Sequence, residues 1–349
     1  MIEEADARLK EGIAQYQAGE FEAALGSWVQ ARRIYRECCE KQREGAALGN
    51  MGAAYQALGG LNDAIACYEE HLAIAQTVGD THGQGNALLN LGKAYSALGE
   101  EDRAIAYQQQ QLEMAVEMHD PQLEARALSQ LKHSYGKIRR EADIEQCLQR
   151  QLAIARELFS TAKGEDFIAI AQRLGLNPRK DFAGADLSEL DLHYADFSRG
   201  DLRQTNLSHA DLHLADFTGA NLSGANLSGA QLANANLNRA NFTDAVLTDA
   251  DLRTNLNRAI LTRADLRRAN LTAAYLPGAN LSAADLNGAI LKNADLSKGN
   301  LRGADLTGAD VSRADFTDAM VENARFADNA GMSEGVRQAL RDRGAIFAE

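Results

Sequence analysis

Residues 219–230 read GANLSGANLSGA, a stretch in which leucine recurs at every fifth position. The same period runs from Phe182 to Leu252 and again from Leu256 to Phe326. All 30 central positions of these units are apolar, with 22 leucines, six phenylalanines and two valines, and alanine stands two residues earlier in 24 of them. Because five is neither the helical nor the strand period, the pattern predicts a fold in which every unit contains its own turn.

Each five-residue unit divides into an extended part and a turn. Residues two apart on an extended chain point the same way, so alanine and leucine face inward and the Asp or Asn between them faces outward. Four turns would close one coil of twenty residues, and successive coils would stack at the strand spacing of about 4.8 Å. Leu252 and Leu256 are only four residues apart, which predicts a kink or a tightened turn at that corner.

These units resemble those of the pentapeptide-repeat family over residues 180–327. The resemblance implies a right-handed quadrilateral β-helix. An open-ended solenoid exposes unpaired strand edges, which must be covered. We expect a helix within EDFIAIAQRLGL (165–176) to cover one end. A second helix within MSEGVRQALRDRG (332–344), started by Ser333, would cap the other, with the GAIF segment against the last coil.

The N-terminal half repeats at 40 residues instead. Small and apolar residues recur at helical spacing in related blocks, and glycines mark where each block begins and where its first helix ends: Gly12, Gly52 and Gly92, then Gly19, Gly59 and Gly99. A degenerate fourth copy starts at Lys132.

This pattern resembles the tetratricopeptide repeat in its 40-residue form, which implies pairs of antiparallel helices. Its characteristic positions are the glycines that begin the blocks, the tyrosines of the first helix, and the alanines and large aromatic residues of the second: Tyr55, Tyr95, Tyr135, Ala24, Ala64, Ala104, Trp28 and Tyr68.

The two periods predict a multidomain fold, an α-helical solenoid followed by a β-helix. We expect a tetratricopeptide-repeat domain over 1–163, a capping helix and linker over 164–179, the β-helix over 180–327 and a C-terminal cap over 328–349.

Charge and cysteine content exclude several classes of protein. The chain has 49 acidic and 36 basic residues, a formal net charge of −13, which argues against binding nucleic acid by neutralising phosphates. No stretch reaches the roughly 18 apolar residues of a membrane span. The four cysteines have no CxxC spacing, so they are interpreted as reduced thiols of a cytoplasmic protein rather than as a disulfide scaffold or zinc ribbon.

The first helices of stacked pairs line the concave side of such a solenoid, so their aligned positions predict a groove for an extended or helical peptide. Asparagine side chains there would hold backbone amides of the peptide. The first copy offers Leu9 and Ile13 where a carboxylate clamp would need polar groups, which argues against that kind of clamp. The predicted groove residues are Ile13, Tyr16, Asn50, Gln56, Asn86, Asn90, Lys93, Arg126 and His133.

Two further surfaces of the five-residue repeats invite interpretation. Apolar residues replace the usual outward Asp or Asn at Val246, Ile260, Tyr275 and Ile290, which would form a diagonal docking stripe, although scattered exposed apolar residues are also common. His193 and His213 lie twenty residues apart and would stack on one face. Stacked imidazoles need no ion, so no metal site is predicted.

We therefore expect a non-enzymatic adaptor of bacterial type, without cofactor, that binds a protein or peptide through its helical domain. The β-helix would serve as a rigid spacer or second docking face, and an uncapped end of it would favour a homodimer. The alternative is a DNA-mimicking protein that protects a topoisomerase (gyrase), as some members of the pentapeptide-repeat family do. A cluster of arginines between residues 253 and 268 argues against that alternative, because it would repel a DNA-binding surface. A metal-dependent enzyme at the His193 and His213 face is a third reading.

Overall fold

The computed structural model describes residues 1–161 and 165–347. The predicted boundary at residues 163–164 lies outside the described residues, as do the last two residues of the expected cap. The chain divides into two compact units, the first ending at Ile154 and the second beginning at Ala155. Within the described part of the chain, every helix is too short or too polar to cross a lipid bilayer.

The N-terminal unit consists of antiparallel helix pairs, in agreement with the helical period. The second helices of successive pairs begin at Phe21, Leu61, Glu101 and Glu141, which reproduces the 40-residue step. The helices are α1 (Ile2–Gln17), α2 (Phe21–Glu37), α3 (Lys41–Ala57), α4 (Leu61–Val78), α5 (Thr81–Leu98), α6 (Glu101–Glu117), α7 (Pro121–Lys137) and α8 (Glu141–Thr161).

Glycine in the first helix of a pair is paired with a large ring in the second. A Cβ atom at Gly12 would overlap the Trp28 indole, and one at Gly52 would overlap the Tyr68 ring. Both rings are almost completely buried. The glycines therefore let the paired helices approach closely while the rings fill the space between them.

The predicted helix ends are confirmed at the turns. Gly19, Gly59 and Gly99 have φ values of 82°, 82° and 85°, the left-handed conformation that glycine adopts without strain. At the turns between pairs, side chains cap the starts of α5 and α7, because Asp80 accepts from the amide of Gly83 and Asp120 from that of Leu123.

In the second unit, parallel bridges join residues twenty apart, beginning with Asp186 to Asn206 and Asp191 to Asp211. The chain thus returns to the same side after every four units. Most corners are turns closed by a hydrogen bond such as that from the Ala195 amide to the Leu192 carbonyl, 3.1 Å. The second turn residue has a positive φ, as a type II β-turn requires. The inward alanines and leucines are buried, as predicted.

The outward Asp or Asn has a structural role that its polarity alone does not reveal. Its side-chain oxygen accepts from the backbone amide two residues later, as Asp216 does from Thr218 at 2.9 Å. Asparagines also bond along the stack, with the Asn300 amide donating to Asn280 at 3.0 Å. These bonds fix the entry to each turn and link neighbouring coils.

At the register slip the structure has the tightened turn. Bridges across it span nineteen residues, as between Asn236 and Asn255, and return to twenty between Asn255 and Tyr275. Neither Arg253 nor Thr254 has a positive φ, so this corner lacks the left-handed residue of the others. Thr254 takes the usual alanine position and donates its hydroxyl to the carbonyl of Ala235.

Short elements flank the five-residue repeats. Helix α9 (Phe167–Arg173) lies within the segment predicted to be helical, and Asp166 accepts from the amides at its start. Strand β1 (Arg325–Phe326) precedes helix α10 (Glu334–Asp342), which begins after Ser333 as predicted, and pairs in parallel with β2 (Ile346–Phe347).

Candidate functional site

The first helices of successive pairs enclose two pockets in the N-terminal unit. The asparagine pocket, about 470 Å³, lies between α3 and α5 and is lined by Asn50, Asn86 and Asn90 among others. The cationic pocket, about 450 Å³, lies between α5 and α7 and is lined by Lys93, Arg126, His133 and neighbouring side chains. Six of the nine predicted groove residues therefore line one of two pockets that share α5.

Helical spacing explains why α5 serves both pockets. Asn86 and Asn90 are four residues apart, so they lie on one side of the helix and line the asparagine pocket. Leu89 and Lys93 are also four residues apart, and they lie on the neighbouring side of the helix and line the cationic pocket. Among the described residues, neither Asn86 nor Asn90 makes a side-chain hydrogen bond. Their amides are thus available to a ligand.

The other three predicted residues lie outside both pockets. Tyr16 is half-buried and packs against Phe21 and Trp28, with ring centroids 5.1 and 5.7 Å away. Gln56 accepts from the Tyr68 hydroxyl at 3.3 Å. Ile13 is exposed on α1. Tyr16 and Gln56 thus hold helix pairs together instead of facing a ligand.

His71 is the buried titratable group of the asparagine pocket. Its ring fits against Gly45 and Gly49, where a Cβ atom would come within 3.0 Å. The side chain is 6% exposed, and its Nδ1 has no hydrogen-bond partner among the described residues. Burial lowers the pKa of His71, although nearby Asp80 opposes the shift.

The cationic pocket has a polar floor. Gln108, only 2% exposed, donates its side-chain amide to the Ser134 hydroxyl at 3.1 Å, and within the described part of the chain its side-chain carbonyl oxygen has no partner. Beside it, Lys137 forms an ion pair of 2.7 Å with Glu101. Burial alone would raise the pKa of Glu101, but hydrogen bonds from Lys137 and two serines outweigh burial and lower it.

Lys93 and Arg126 carry uncompensated charge at this pocket. Within the described residues, neither makes a hydrogen bond or ion pair, and none of the side chains that line the cationic pocket is acidic. Lys137 is already neutralised by Glu101, so the free positive charge belongs to the two exposed cations.

The four apolar residues predicted as a docking stripe are exposed but separated. Val246, Ile260, Tyr275 and Ile290 each belong to a different one of the four bridge ladders. They therefore wind around the solenoid instead of sharing one face, so a single flat partner could not contact all four. Their placement follows a diagonal path around the solenoid, and docking on that path stays a prediction.

The two stacked histidines are engaged by carboxylates. His193 pairs with Asp191 through Nδ1, and His213 pairs with Asp211 at 2.5 Å. The hydrogen bond that His193 donates to the Asp191 carboxylate raises the pKa of His193. No group of three potential metal ligands occurs among the described residues.

Four of the five arginines in the cluster after the slip are paired as well, whereas Arg258 makes no ion pair among the described residues. Arg263 and Arg268 form ion pairs of 2.6 Å with Asp244 and Asp249, and Arg267 pairs with Asp265 at the same distance. The cluster therefore does not present the free positive patch expected from sequence, and the repulsion of a DNA-binding surface is weaker than its composition suggests.

Sequence reasoning missed the buried polar groups His71 and Gln108. Gln108 carried a usable signal, because it stands 40 residues after Tyr68 and 80 after Trp28, where the repeat otherwise has a large ring. His71 has no such signal, since its burial depends on glycines in another helix.

Comparison with known proteins matches both repeat types. The family model for the tetratricopeptide repeat matches residues 43–116, and that for pentapeptide repeats matches overlapping segments between residues 178 and 328. No curated protein matches the chain.

Solved structures of pentapeptide-repeat proteins and of proteins with TPR-like repeats are similar to different parts of the chain. HetL, a pentapeptide repeat protein involved in heterocyst differentiation regulation from the cyanobacterium Nostoc sp. strain PCC 7120, is 31% identical, covers 44% of this chain and 80% of its own, and has a TM-score of 0.19. The pentapeptide repeat protein alr5209 from Nostoc PCC 7120 is 30% identical over 30% of this chain and 84% of its own, with a TM-score of 0.26. A putative kinesin light chain with TPR-like repeats from Podosopora anserina is 15% identical over 50% and 85%, with a TM-score of 0.42.

Helix pairs in the first unit and five-residue turns in the second define a solenoid repeat protein. Through residues 178–328 the chain belongs to the pentapeptide-repeat proteins, and its N-terminal part carries tetratricopeptide repeats. Such repeats indicate a protein-interaction or scaffold role.

Proposed function

We propose that the chain is a non-enzymatic adaptor whose N-terminal unit binds an extended peptide segment of a protein partner across the asparagine and cationic pockets. The observation that carries the proposal is the pair of pockets that share α5, one lined by asparagine amides that have no hydrogen-bond partner among the described residues and the other by cations. Side-chain amides both donate and accept, so they match the backbone of an extended peptide.

The second unit would act as a rigid spacer. We take it to be a right-handed quadrilateral β-helix, supported by parallel bridges twenty residues apart and by the family assignment. Helix α10 and strand β2 would cap its last coil. Support comes from the β1–β2 pairing, the stacking of Phe326 on Phe347 at 5.2 Å and the complete burial of Leu340.

A bacterial, cytoplasmic setting belongs to the same proposal. Two similar solved proteins come from Nostoc. All four cysteines lie within the described residues as free thiols, which fits a reducing compartment.

The test of peptide binding is selection from a phage-displayed library of random dodecapeptides on the immobilised full-length chain, followed by fluorescence anisotropy with selected peptides. Replacing Asn86 and Asn90 by alanine removes two amides that hold the peptide backbone. We expect Asn86→Ala/Asn90→Ala to weaken binding by about tenfold or more, since each lost hydrogen bond contributes about 1 kcal/mol.

The matched control is Asn257→Ala/Asn287→Ala, two asparagines in turns of the second unit. This variant should bind the peptides as the wild type does. Failure to select any peptide, or equal loss of binding in both variants, would sink the proposal.

A further inference from the structure

The position of Gln108 in the repeat accounts for the cationic pocket. In the two preceding copies the same position holds Trp28 and Tyr68, whose rings fill the space against a glycine. Gln108 keeps the glycine contact, since a Cβ atom at Gly92 would lie 2.9 Å from its Cγ. A straight chain without a ring leaves space where the earlier copies are filled, and the pocket of about 450 Å³ lies there.

The floor of this pocket has two unpaired hydrogen-bond acceptors. The carbonyl oxygens of Gln108 and Gln130 are both buried without a partner among the described residues, while their amide groups are engaged by Ser134 and Gln111. A buried acceptor left unpaired is unfavourable because it has lost its hydrogen bonds to water. A ligand group that donates a hydrogen bond would remove part of that cost, so the floor favours a donor.

The exposed residues of the pocket require a ligand that accepts hydrogen bonds and carries negative charge. Lys93 and Arg126 present donors and positive charge without an acidic neighbour in the described lining, and exposed His133 adds further donor capacity. Carboxylates are the protein groups that match such cations. One ligand therefore has to combine a donor that reaches inward with negative charge that stays near the surface.

We propose that the cationic pocket holds one hydrogen-bond-donating side chain from an acidic segment of the partner, with the Gln108 carbonyl oxygen as acceptor and Lys93 and Arg126 paired with flanking carboxylates. The inference rests on the proposed peptide-binding function and specifies the chemistry of the peptide. It assigns Gln108 a recognition role where the repeat otherwise has a packing residue.

The test uses the full-length chain and the same random dodecapeptide library. We expect selected peptides to be enriched in Asp and Glu around a Ser, Thr, Asn, Gln, Tyr or Trp. The charge-reversed variant Lys93→Glu/Arg126→Glu should lose these peptides and select Lys- and Arg-rich ones instead. Lys10→Glu/Lys298→Glu makes the same change in net charge at exposed positions outside both pockets and should select the wild-type set.

Gln108→Leu tests the acceptor separately. Leucine removes the unpaired oxygen and is close to glutamine in size, so the fold is expected to persist, as far-UV circular dichroism would verify. Affinity for a selected acidic peptide should fall about fivefold, the equivalent of one hydrogen bond.

Outcomes separate this inference from the proposed function. Peptides that bind through Asn86 and Asn90 but show no acidic enrichment, or an unchanged selection by the charge-reversed variant, would overturn the inference and leave the proposed function intact. Unchanged affinity in Gln108→Leu would overturn the acceptor role. A library that yields no binders at all would overturn both.

Discussion

Gly52 and Gly26 show how differently two glycines of one unit are used. At Gly52 a Cβ atom would overlap the buried Tyr68 ring, whereas at Gly26 it would meet nothing within 4 Å. Both residues lie in the interior of helices, where alanine is otherwise favoured over glycine by about 1 kcal/mol.

We therefore predict opposite effects of alanine at these positions. Gly52→Ala should lower the free energy of unfolding by about 1–3 kcal/mol, the usual effect of overpacking, and Gly26→Ala should raise it by up to about 1 kcal/mol. Urea unfolding followed by the helical circular dichroism signal measures both. Equal stability of the two variants would contradict the packing account.

His71 gives the N-terminal unit a predictable response to pH. Because its pKa is lowered in the folded chain by burial, the unfolded chain binds the proton more tightly and protonation favours unfolding. The free energy of unfolding should decrease as the pH falls through the ordinary histidine pKa of about 6.5. Urea unfolding at pH 8 and pH 5 should show a smaller difference for His71→Gln than for the wild type.

The control for this prediction is His119→Gln, which changes an exposed histidine in a turn. It should retain the wild-type difference between the two pH values. If His71→Gln retained that difference as well, the buried imidazole would not be the titrating group.

At the scale of single elements, the five-residue corner was predictable in outline. Alternating burial and a two-residue turn followed from the spacing of alanine and leucine. The hydrogen bonds that Asp or Asn side chains accept from the turn amides could not be predicted from this spacing, because any outward polar residue would satisfy the same pattern. Similarly, six of nine groove residues line pockets, but Tyr16 and Gln56 were assigned to the groove because helical spacing alone does not reveal which neighbours they meet.

The register slip is an element whose repair can be tested. Inserting glycine between Arg253 and Thr254 would restore five-residue spacing and supply the left-handed residue that this corner lacks. We predict a melting temperature equal to or above that of the wild type.

The matched insertion is one glycine between Ser228 and Gly229, within regular units. There it creates a six-residue unit, displaces the buried alanine–leucine pattern and should lower the melting temperature by several degrees. Thermal unfolding compares the melting temperatures of the two insertion variants. An equal loss of stability in both would show that the four-residue spacing is required for packing and is not a tolerated deletion.

For the molecule as a whole, many aspartates of the second unit form surface ion pairs with arginines. Paired arginines such as Arg263 and Arg268 leave neither a free positive patch nor unbroken negative charge like that of duplex DNA. We therefore expect the chain to leave the inhibitor sensitivity of gyrase supercoiling unchanged. A rise in the inhibitor concentration needed to stop supercoiling would favour the DNA-mimic alternative.

The central claim is that the partner segment binds along α3, α5 and α7. The most direct measurement is photo-crosslinking of a library-selected peptide that carries a benzophenone group, with the crosslinked residues of the full-length chain identified by mass spectrometry. We predict crosslinks within residues 41–57, 81–98 and 121–137, reduced in the Asn86→Ala/Asn90→Ala variant. Crosslinks concentrated within residues 182–326 would contradict the account.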